Sequence, residues 1–321
     1  MDFQILISNL TNPTLLFFLL GILAIIIKSD LQIPESSSKF ISLYLLFAIG
    51  FKGGQELANS QYTSEITYTL FFGVVMASVI PLYTFFILKR KLSAIDSGAI
   101  AATYGSVSAV TFVAAVSFLE MQQISFGGHM VAVMALMESP AIVIGVILMM
   151  QFGKESDKAV DWKSIIQHSF TNGSVVMILG SLVIGIIADT KQAEGIRPFT
   201  NDIFKGFLAI FLLELGMVVA KRFSAFTKYG WFVSLFAVII PIVNGCIVAY
   251  LSQFVTPDIG NRFILAILSA SASYIAVPAA MRIAAPEADP GLYIPMALGI
   301  TFPVNITVGI PLYFTIVKLF V

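Results

Sequence analysis

Long apolar stretches separated by short polar breaks divide the chain into ten segments. They lie at residues 13–28, 38–58, 66–88, 94–119, 127–152, 173–189, 203–220, 229–252, 262–284 and 292–319. Most approach the roughly 20 residues that an α-helix needs to cross a bilayer. The apolarity is continuous rather than alternating with a period of two, which favours helices over a transmembrane β-barrel. The pattern predicts an all-α polytopic membrane protein with about ten transmembrane helices.

The composition agrees with a membrane protein and excludes several other classes. Of the 321 residues, 58% are hydrophobic and 11% are charged, whereas soluble domains carry about 45–50% and about 25%. The mean hydropathy is +0.94. Eighteen basic residues balance 18 acidic ones, which argues against a nucleic-acid partner. The single cysteine, Cys246, excludes an intramolecular disulfide and a CxxC motif, and we expect neither a cofactor nor a transition-metal site.

The distribution of basic residues predicts the orientation in the membrane. Counting Lys and Arg loop by loop places 12 on one side and five on the other, with Lys52 inside a helix. Cytoplasmic loops carry the excess of positive charge. We therefore expect the loop at 153–164 in the cytoplasm and both termini on the outer side of the cell (inner) membrane.

The two halves of the chain resemble each other at offsets between 163 and 166 residues. The matched segments are 105–115 with 270–280, 49–51 with 215–217, and 138–141 with 301–304. Each half holds five predicted helices, and this odd number gives the halves opposite orientations. Inverted repeats with broken helices are typical of secondary transporters, whose site lies near the midplane between the repeats. We expect a first repeat at 1–152, a cytoplasmic loop at 153–172 and an inverted second repeat at 173–321.

Small polar residues interrupt two of the predicted helices near their midpoints. In the helix at 94–119 they are Tyr104, Gly105, Ser106, Ser108 and Thr111, and in the helix at 262–284 they include Ser271, Ser273 and Tyr274. Pro278 lacks an amide donor and therefore frees the carbonyl of Tyr274 one turn earlier. If both helices break here, Ser108 and Ser273 are suited to cap the second half-helices.

Two such breaks in opposite orientation bring two helix N-termini toward one point. This point attracts a small anion through backbone amides and hydroxyl groups. The freed carbonyl and hydroxyl oxygens suit a hard cation such as sodium. The alternative is that small residues only let the helices pack closely. We favour a binding site, in which the substrate-binding residues are Gly105, Ser106, Ser108, Thr111, Ser271, Ser273 and Tyr274.

Glu138 lies at the centre of the helix at 127–152, beside Pro140. An ionisable group at this depth is costly, so a functional role is the default interpretation. Glu138 is suited to bind sodium as a carboxylate or to carry a proton, and the alternative is a structural hydrogen bond. With Glu138, the predicted cation site contains Ser108, Ser273 and Asn305.

Three further charged residues lie within predicted helices. Lys52 and Glu56 are one helical turn apart and can pair, and Glu214 lies past the middle of the helix at 203–220. Two interpretations stay open: these residues line a transport pathway, or they pair between helices or subunits.

Five segments resemble the cyanobacterial sodium-dependent bicarbonate transporter family, in order and over nearly the whole chain. They are IGFKGGQELA (49–58), GSVSAVTFVAA (105–115), MESPA (137–141), SASASYIAVPAAMR (269–282) and GLYIPMALGITFPVNITVGIPLYF (291–314). The resemblance implies two inverted five-helix repeats, a homotrimer, and bicarbonate and sodium bound around the broken helices. It also implies a core domain from 66–152 and 229–321 and a gate domain from 13–58 and 173–220.

The chain departs from the family pattern in three places. Tyr274 replaces the aspartate that ends the family's Ser-Ser-Ser-Asp run, and Glu138 replaces the aspartate of its Met-Asp-Ile-Pro run. The cytoplasmic loop at 153–172 is short, whereas photosynthetic relatives carry a longer loop and bind a PII-like regulator. The resemblance therefore identifies a divergent member, for which the PII-like partner is in doubt.

These observations favour a secondary active transporter, a sodium-coupled bicarbonate symporter that works by alternating access. Transport of another small anion or carboxylate, or proton coupling through Glu138, is the alternative. An enzyme would need a catalytic motif, and the sequence contains neither HExxH nor GxSxG nor a Cys–His pair. A channel would present rings of carbonyls or charges along a pore, and the sequence has no such run.

Overall fold

A computed structural model describes residues 13–59, 63–153, 163, 167, 171, 173–226 and 230–320. Within these residues the secondary structure is helical and contains no strand. The prediction of an all-helical membrane protein is therefore confirmed. Most of the predicted cytoplasmic loop at 153–172 lies outside the described residues.

Twelve principal helices follow one another along the described chain. They are α1 (Pro13–Ile26), α2 (Glu35–Asn59), α3 (Ser64–Leu88), α4 (Ala94–Gly105), α5 (Ala109–Met121), α6 (His129–Phe152), α7 (Gly173–Ile187), α8 (Phe204–Phe226), α9 (Trp231–Leu251), α10 (Ile259–Ala270), α11 (Ala276–Ala284) and α12 (Pro290–Leu319). A short helix, Thr190–Glu194, and a π-helical turn, Pro198–Asp202, connect α7 to α8.

Five helical stretches in the described chain are long and apolar enough to cross a membrane. They are Ser64–Leu88, Ala94–Met121, His129–Phe152, Trp231–Phe254 and Pro290–Leu319. The protein is thus a multi-pass membrane protein. Ten spans in two inverted repeats stay a prediction, because α1, α7 and α10 are shorter and α2 and α8 carry charged residues.

Prolines account for the irregular backbone of α12. This helix contains two π-helical segments, Met296–Thr301 and Asn305–Gly309, and Pro303 and Pro311 lie next to them. A proline cannot donate the hydrogen bond of a regular helix and crowds the preceding turn. A π-helical segment absorbs this irregularity by shifting the bonding pattern, and such segments often occur at functional sites.

The helices pack as two groups. In the first helix group, α2 packs along α7 and α1 packs along α8. In the second helix group, α3, α4 and α6 pack together, and α9 packs on α10; we include α5, α11 and α12 in this group. The predicted gate domain contains the helices of the first group, and the predicted core domain contains those of the second. The division into these two domains stays a prediction.

The two interrupted helices lie at the centre of the molecule. Of the most apolar 18 residues of Ala94–Met121, 94% are buried, against 33% for α3. In α10, every residue from Gly260 to Ala270 is buried. The break between α4 and α5 and the end of α10 are thus enclosed by protein, whereas Ile275, just before α11, is 39% exposed.

Glycines allow the helices of the first group to approach backbone to backbone. A Cβ atom added at Gly54 of α2 would lie 2.1 Å from the carbonyl oxygen of Leu182 and 2.9 Å from the Cα of Gly185 in α7. In contrast, a Cβ atom at Gly180, also in α7, would have no atom within 4 Å.

We expect Gly54→Ala to destabilise the protein and Gly180→Ala not to destabilise it. Overpacking costs about 1–3 kcal/mol, so Gly54→Ala should lower the thermal unfolding midpoint of the detergent-purified protein. Gly180→Ala should leave it unchanged or raise it, because alanine is favoured over glycine by up to about 1 kcal/mol in an open helical position. Equal midpoints for the two variants would contradict the close approach of α2 and α7.

Candidate functional site

The two helix breaks cross each other, and a backbone amide of each donates a hydrogen bond to the other segment. The amide of Ser108 donates to Ser271 Oγ at 3.0 Å, and the amide of Ser273 donates to the carbonyl of Thr103 at 2.8 Å. The Ser271 hydroxyl in turn donates to the carbonyl of Leu268 at 2.8 Å. The crossing therefore satisfies backbone groups of each break with groups from the other.

The first break has the predicted cap. Ser108 precedes α5 in an extended conformation, and its hydroxyl accepts a hydrogen bond from the amide of Thr111 at 3.2 Å. This capping uses one of the amides that a helix N-terminus leaves without an intrahelical partner.

The second break differs from the prediction that Ser273 caps the helix. The helix α11 begins at Ala276 with Ile275 at the capping position, and Ser273 Oγ accepts only a long bond of 3.5 Å from the amide of Val277. Pro278 gives the physical reason. With a start at Ala276, the amide that Pro278 lacks is one that would have had no intrahelical partner.

The N-terminal ends of both half-helices face the first helix group across a small cavity. This cavity has a volume of about 10 Å³. Its lining comprises Ala109, Val110 and Val113 of α5, Ile275 before α11, and Ser42, Leu45, Leu46 and Phe211 of the first group. A space of this size holds at most about one water molecule. Its walls are uncharged and include the start of α5 and the capping residue of α11, where a helix carries partial positive charge.

Buried polar atoms at the crossing lack partners among the described residues. They include the hydroxyl oxygens of Ser106 and Tyr274. Ser108 lies near the Tyr274 hydroxyl, but the geometry falls short of a hydrogen bond. Leaving a buried polar group unpaired costs about 1–3 kcal/mol, so such groups are uncommon and need an explanation. A bound ligand would supply partners for both.

Two other predicted substrate residues have a clear structural role. A Cβ atom at Gly105 would lie 2.2 Å from Cγ of Pro81 in α3, so Gly105 is required by packing. Thr111 is buried in the first turn of α5 and its amide is held by Ser108. For Gly105 the close-packing interpretation is sufficient by itself.

The predicted cation-binding residues are not all brought together. Ser108 and Ser273 lie at the crossing. Asn305 lies behind it, where its side-chain amide donates to the carbonyl of Ala270 at 2.7 Å and its oxygen accepts from the Tyr313 hydroxyl at 3.1 Å. Asn305 thus holds the end of α10.

Glu138 lies on α6, which packs against the first break: a Cβ atom at Gly105 would lie 3.1 Å from the Cβ of Ala141. It is 9% exposed in the middle of α6, and its Oε2 atom is buried without a hydrogen-bond partner in the described part of the chain. The helix α6 also packs against α10 and α11, which flank the second break. In the described chain, no group of His, Cys, Asp and Glu has an arrangement suited to a metal ion.

The sequence analysis missed two consecutive hydrogen bonds beside the crossing. The hydroxyls of Tyr104 and Thr301 are 2.8 Å apart, and Thr301 Oγ1 donates to the carbonyl of Ala237 at 2.8 Å. These hydrogen bonds connect α4 to α12 and α12 to α9. The alignment of Thr301 with Glu138 between the two halves was the signal that could have identified them.

A cleft lies between α2 and α5, on the boundary between the two helix groups. It consists of two spaces of about 170 and 300 Å³, which share Ile49, Lys52, Val116 and Glu120 in their walls. Lys52 Nζ is 2.8 Å from Glu120 Oε1, so Lys52 pairs with a neighbouring helix. Glu214 accepts a hydrogen bond from Ser38, which is also an interhelical contact.

Comparison with known proteins identifies the family. The sequence model of the family described as the Na⁺-dependent bicarbonate transporter superfamily matches residues 13–318, which is nearly the whole chain. This match confirms the resemblance seen in the five sequence segments. The family is one of transporters, which agrees with the expectation of a protein that is not an enzyme. The comparison with curated proteins found no match.

We expect Ser271→Ala to destabilise the protein, since it leaves the buried amide of Ser108 without an acceptor. The cost should be about 1–3 kcal/mol, measured as a lower thermal unfolding midpoint in detergent. Ser97→Ala is the matched control, because the buried Ser97 hydroxyl has no partner among the described residues. If both variants unfold at the same temperature, the two breaks do not support each other as described.

Proposed function

We propose that this chain, which belongs to the Na⁺-dependent bicarbonate transporter superfamily, is a secondary active transporter that carries bicarbonate together with sodium by alternating access. One observation carries the proposal: the first turn of α5 and the residue that caps α11 line one small cavity on the boundary between the two helix groups. Family membership implies bicarbonate and sodium as the transported species.

The chemistry of the crossing suits a small oxyanion. The first-turn amides of α5 and α11 supply donors and partial positive charge without a Lys or Arg in the cavity wall. The unpartnered hydroxyls of Ser106 and Tyr274 supply further donors or acceptors. Bicarbonate carries both acceptor oxygens and a donor hydroxyl, so it can use both kinds of group. Gly105, Ser108, Thr111, Ser271 and Ser273 shape this site.

Glu138 is the proposed coupling residue. A carboxylate that is deeply buried and lacks a partner favours the binding of a cation or a proton, because either would neutralise its charge. Sodium is the first choice because the family is sodium-dependent. Proton coupling is the second candidate, because the buried Oε2 atom of Glu138 has no hydrogen-bond partner among the described residues and a proton would neutralise the carboxylate as well.

Transport would need a movement of the two helix groups against each other. A cavity of about 10 Å³ is too small for a three-oxygen anion, so the walls must separate for binding. The boundary between α2 and α5 leads from this cavity to the wider cleft at Lys52 and Glu120. Under the predicted orientation, this cleft lies on the outer side of the cell membrane.

The glycine contacts support the two inverted repeats as part of this proposal. Gly21 of α1 lies against Leu213 of α8, and Gly185 of α7 lies against Phe51 of α2. Gly21 and Gly185 are 164 residues apart, close to the offset of the sequence repeat. Under that offset α1 corresponds to α7 and α2 to α8, so the two crossings correspond to each other.

The remaining features of the proposal come from the resemblance, from the distribution of basic residues and from the composition. The protein would be a homotrimer in the cell (inner) membrane, with both termini outside the cytoplasm and with lipid as its surroundings. It would need no cofactor besides the coupling ion. The short loop at 153–172 argues against a PII-like regulator.

Uptake into proteoliposomes tests this function. We expect labelled bicarbonate to accumulate in vesicles that contain the purified protein, with saturation and with dependence on an inward sodium gradient. Protein-free vesicles and a collapsed gradient are the controls. Folded protein that takes up no bicarbonate under a sodium gradient would contradict the proposed substrate. Uptake driven equally well by a proton gradient without sodium would favour the second candidate.

We expect Glu138→Gln to lower the rate of cation-dependent uptake at least about ten-fold while the protein stays folded. The amide keeps the size of the side chain but cannot be a charged ligand or carry a proton. Glu194→Gln, on the short helix outside the described spans, is the matched control and should transport normally. Uptake by Glu138→Gln with unchanged sodium dependence would remove Glu138 from the mechanism.

A further inference from the structure

We propose that the ion pair between Lys52 and Glu120 is a reversible latch that holds the two helix groups in the register seen here. The proposal rests on the proposed alternating access, because a latch has a purpose only if the groups move. It assigns a role to charged residues that the substrate site does not use.

The geometry places the two signs of charge on different groups. Lys52 of α2 and Lys205 of α8 belong to the first helix group, and Glu120, in the last turn of α5, belongs to the second. Lys52 Nζ lies 2.8 Å from Glu120 Oε1, and Lys205 Nζ lies 3.9 Å from Glu120 Oε2. Both of these ion pairs therefore connect the two groups across their boundary.

The ion pair lies at one end of a regular series of positions on α2 and α5 that line the same cavities. Leu45 and Val113 line the small cavity at the half-helix ends. One turn further, Ile49 and Val116 line both parts of the wide cleft, and Lys52 and Glu120 stand after them. The spacing follows one face of each helix. From Val113 to Glu120 the series extends about 10 Å along the helix axis.

The ion pair depends on the register of α2 and α5 more strongly than the apolar side chains do. Apolar side chains lose little when one helix slides along another, since burial has no direction. A charged pair depends on distance and is lost when its partners separate by one turn. Of the positions in this series, the Lys52–Glu120 pair therefore distinguishes one register from the next.

The strength of the pair suits a latch that opens. The side chains of Lys52 and Glu120 are 44% and 29% exposed. Partly exposed pairs of this kind shift an equilibrium only modestly, by about two- to five-fold. Glu56, one turn from Lys52 on α2, is near enough to interact with Lys52 and offers it a second partner after release.

Distance measurements between the groups test the latch without requiring transport. The background is Cys246→Ser, which removes the single cysteine of the chain. Spin labels are placed at Ile187→Cys in α7 and Phe254→Cys after α9, positions that are 77% and 73% exposed. Electron–electron double resonance in lipid nanodiscs then reports the distance distribution between the two groups.

We expect Lys52→Met and Glu120→Gln each to shift the ratio of distance populations by about two- to five-fold. The double variant should shift it no further than Glu120→Gln alone, because both changes remove the same pair. Lys89→Met is the matched control and should leave the distribution unchanged, since Lys89 lies over the ring of Phe152 within the second group. Unchanged distributions in Lys52→Met and Glu120→Gln, or additive effects in the double variant, would overturn the latch.

Bicarbonate uptake by the same preparations separates this proposal from the proposed function. Shifted distances in the variants, together with no uptake by the wild type, would support the latch and contradict the substrate. Uptake by the wild type, with distances that stay unchanged in the variants, would support the function and overturn the latch.

Discussion

In the hydrocarbon core of a bilayer every backbone amide and carbonyl must find a partner inside the protein, because no water or lipid group can supply one. This protein contains two places where a helix stops in the middle, and each would leave such groups exposed. They are tolerated because they face each other: the amide of Ser108 uses the hydroxyl of Ser271, and the amide of Ser273 uses the carbonyl of Thr103. The surrounding helices enclose the first of these breaks, and Ala94–Met121 is accordingly the most buried of the long apolar stretches in the described chain.

The breaks could be predicted from the sequence, but their partners could not. Small polar residues at the midpoint of an apolar run locate the break at Ser106, and a serine before a helix predicts the cap at Ser108. The start of α11 depends on how Pro278 fits the first turn, so Ser273 falls two residues outside the capping position. The pairing of Lys52 with Glu120 was beyond prediction, because helical spacing shows neighbours on one helix and not which helix packs against it.

The two halves use corresponding positions in different ways. The hydroxyl of Thr301 in the second half forms two hydrogen bonds, one with the Tyr104 hydroxyl and one to the carbonyl of Ala237. Glu138, its counterpart in the first half, is buried with an unpartnered oxygen. Under the proposed inverted repeats, two corresponding positions therefore differ in how far their hydrogen-bonding capacity is used. The free oxygen of Glu138 is the observation that supports its proposed role in coupling.

The glycine crossings of the first helix group have a mechanical consequence. Where Gly54 meets Leu182 and Gly185, and where Gly216 meets Phe18, backbones touch without a side chain between them. Side chains act as a compressible layer because they can change rotamer, whereas backbone against backbone has no such freedom. The first helix group is therefore stiff within itself. Between α2 and α5, in contrast, the facing residues Leu45, Ile49, Val113 and Val116 place side chains between the two backbones, so this boundary keeps the rotamer freedom that the glycine contacts lack.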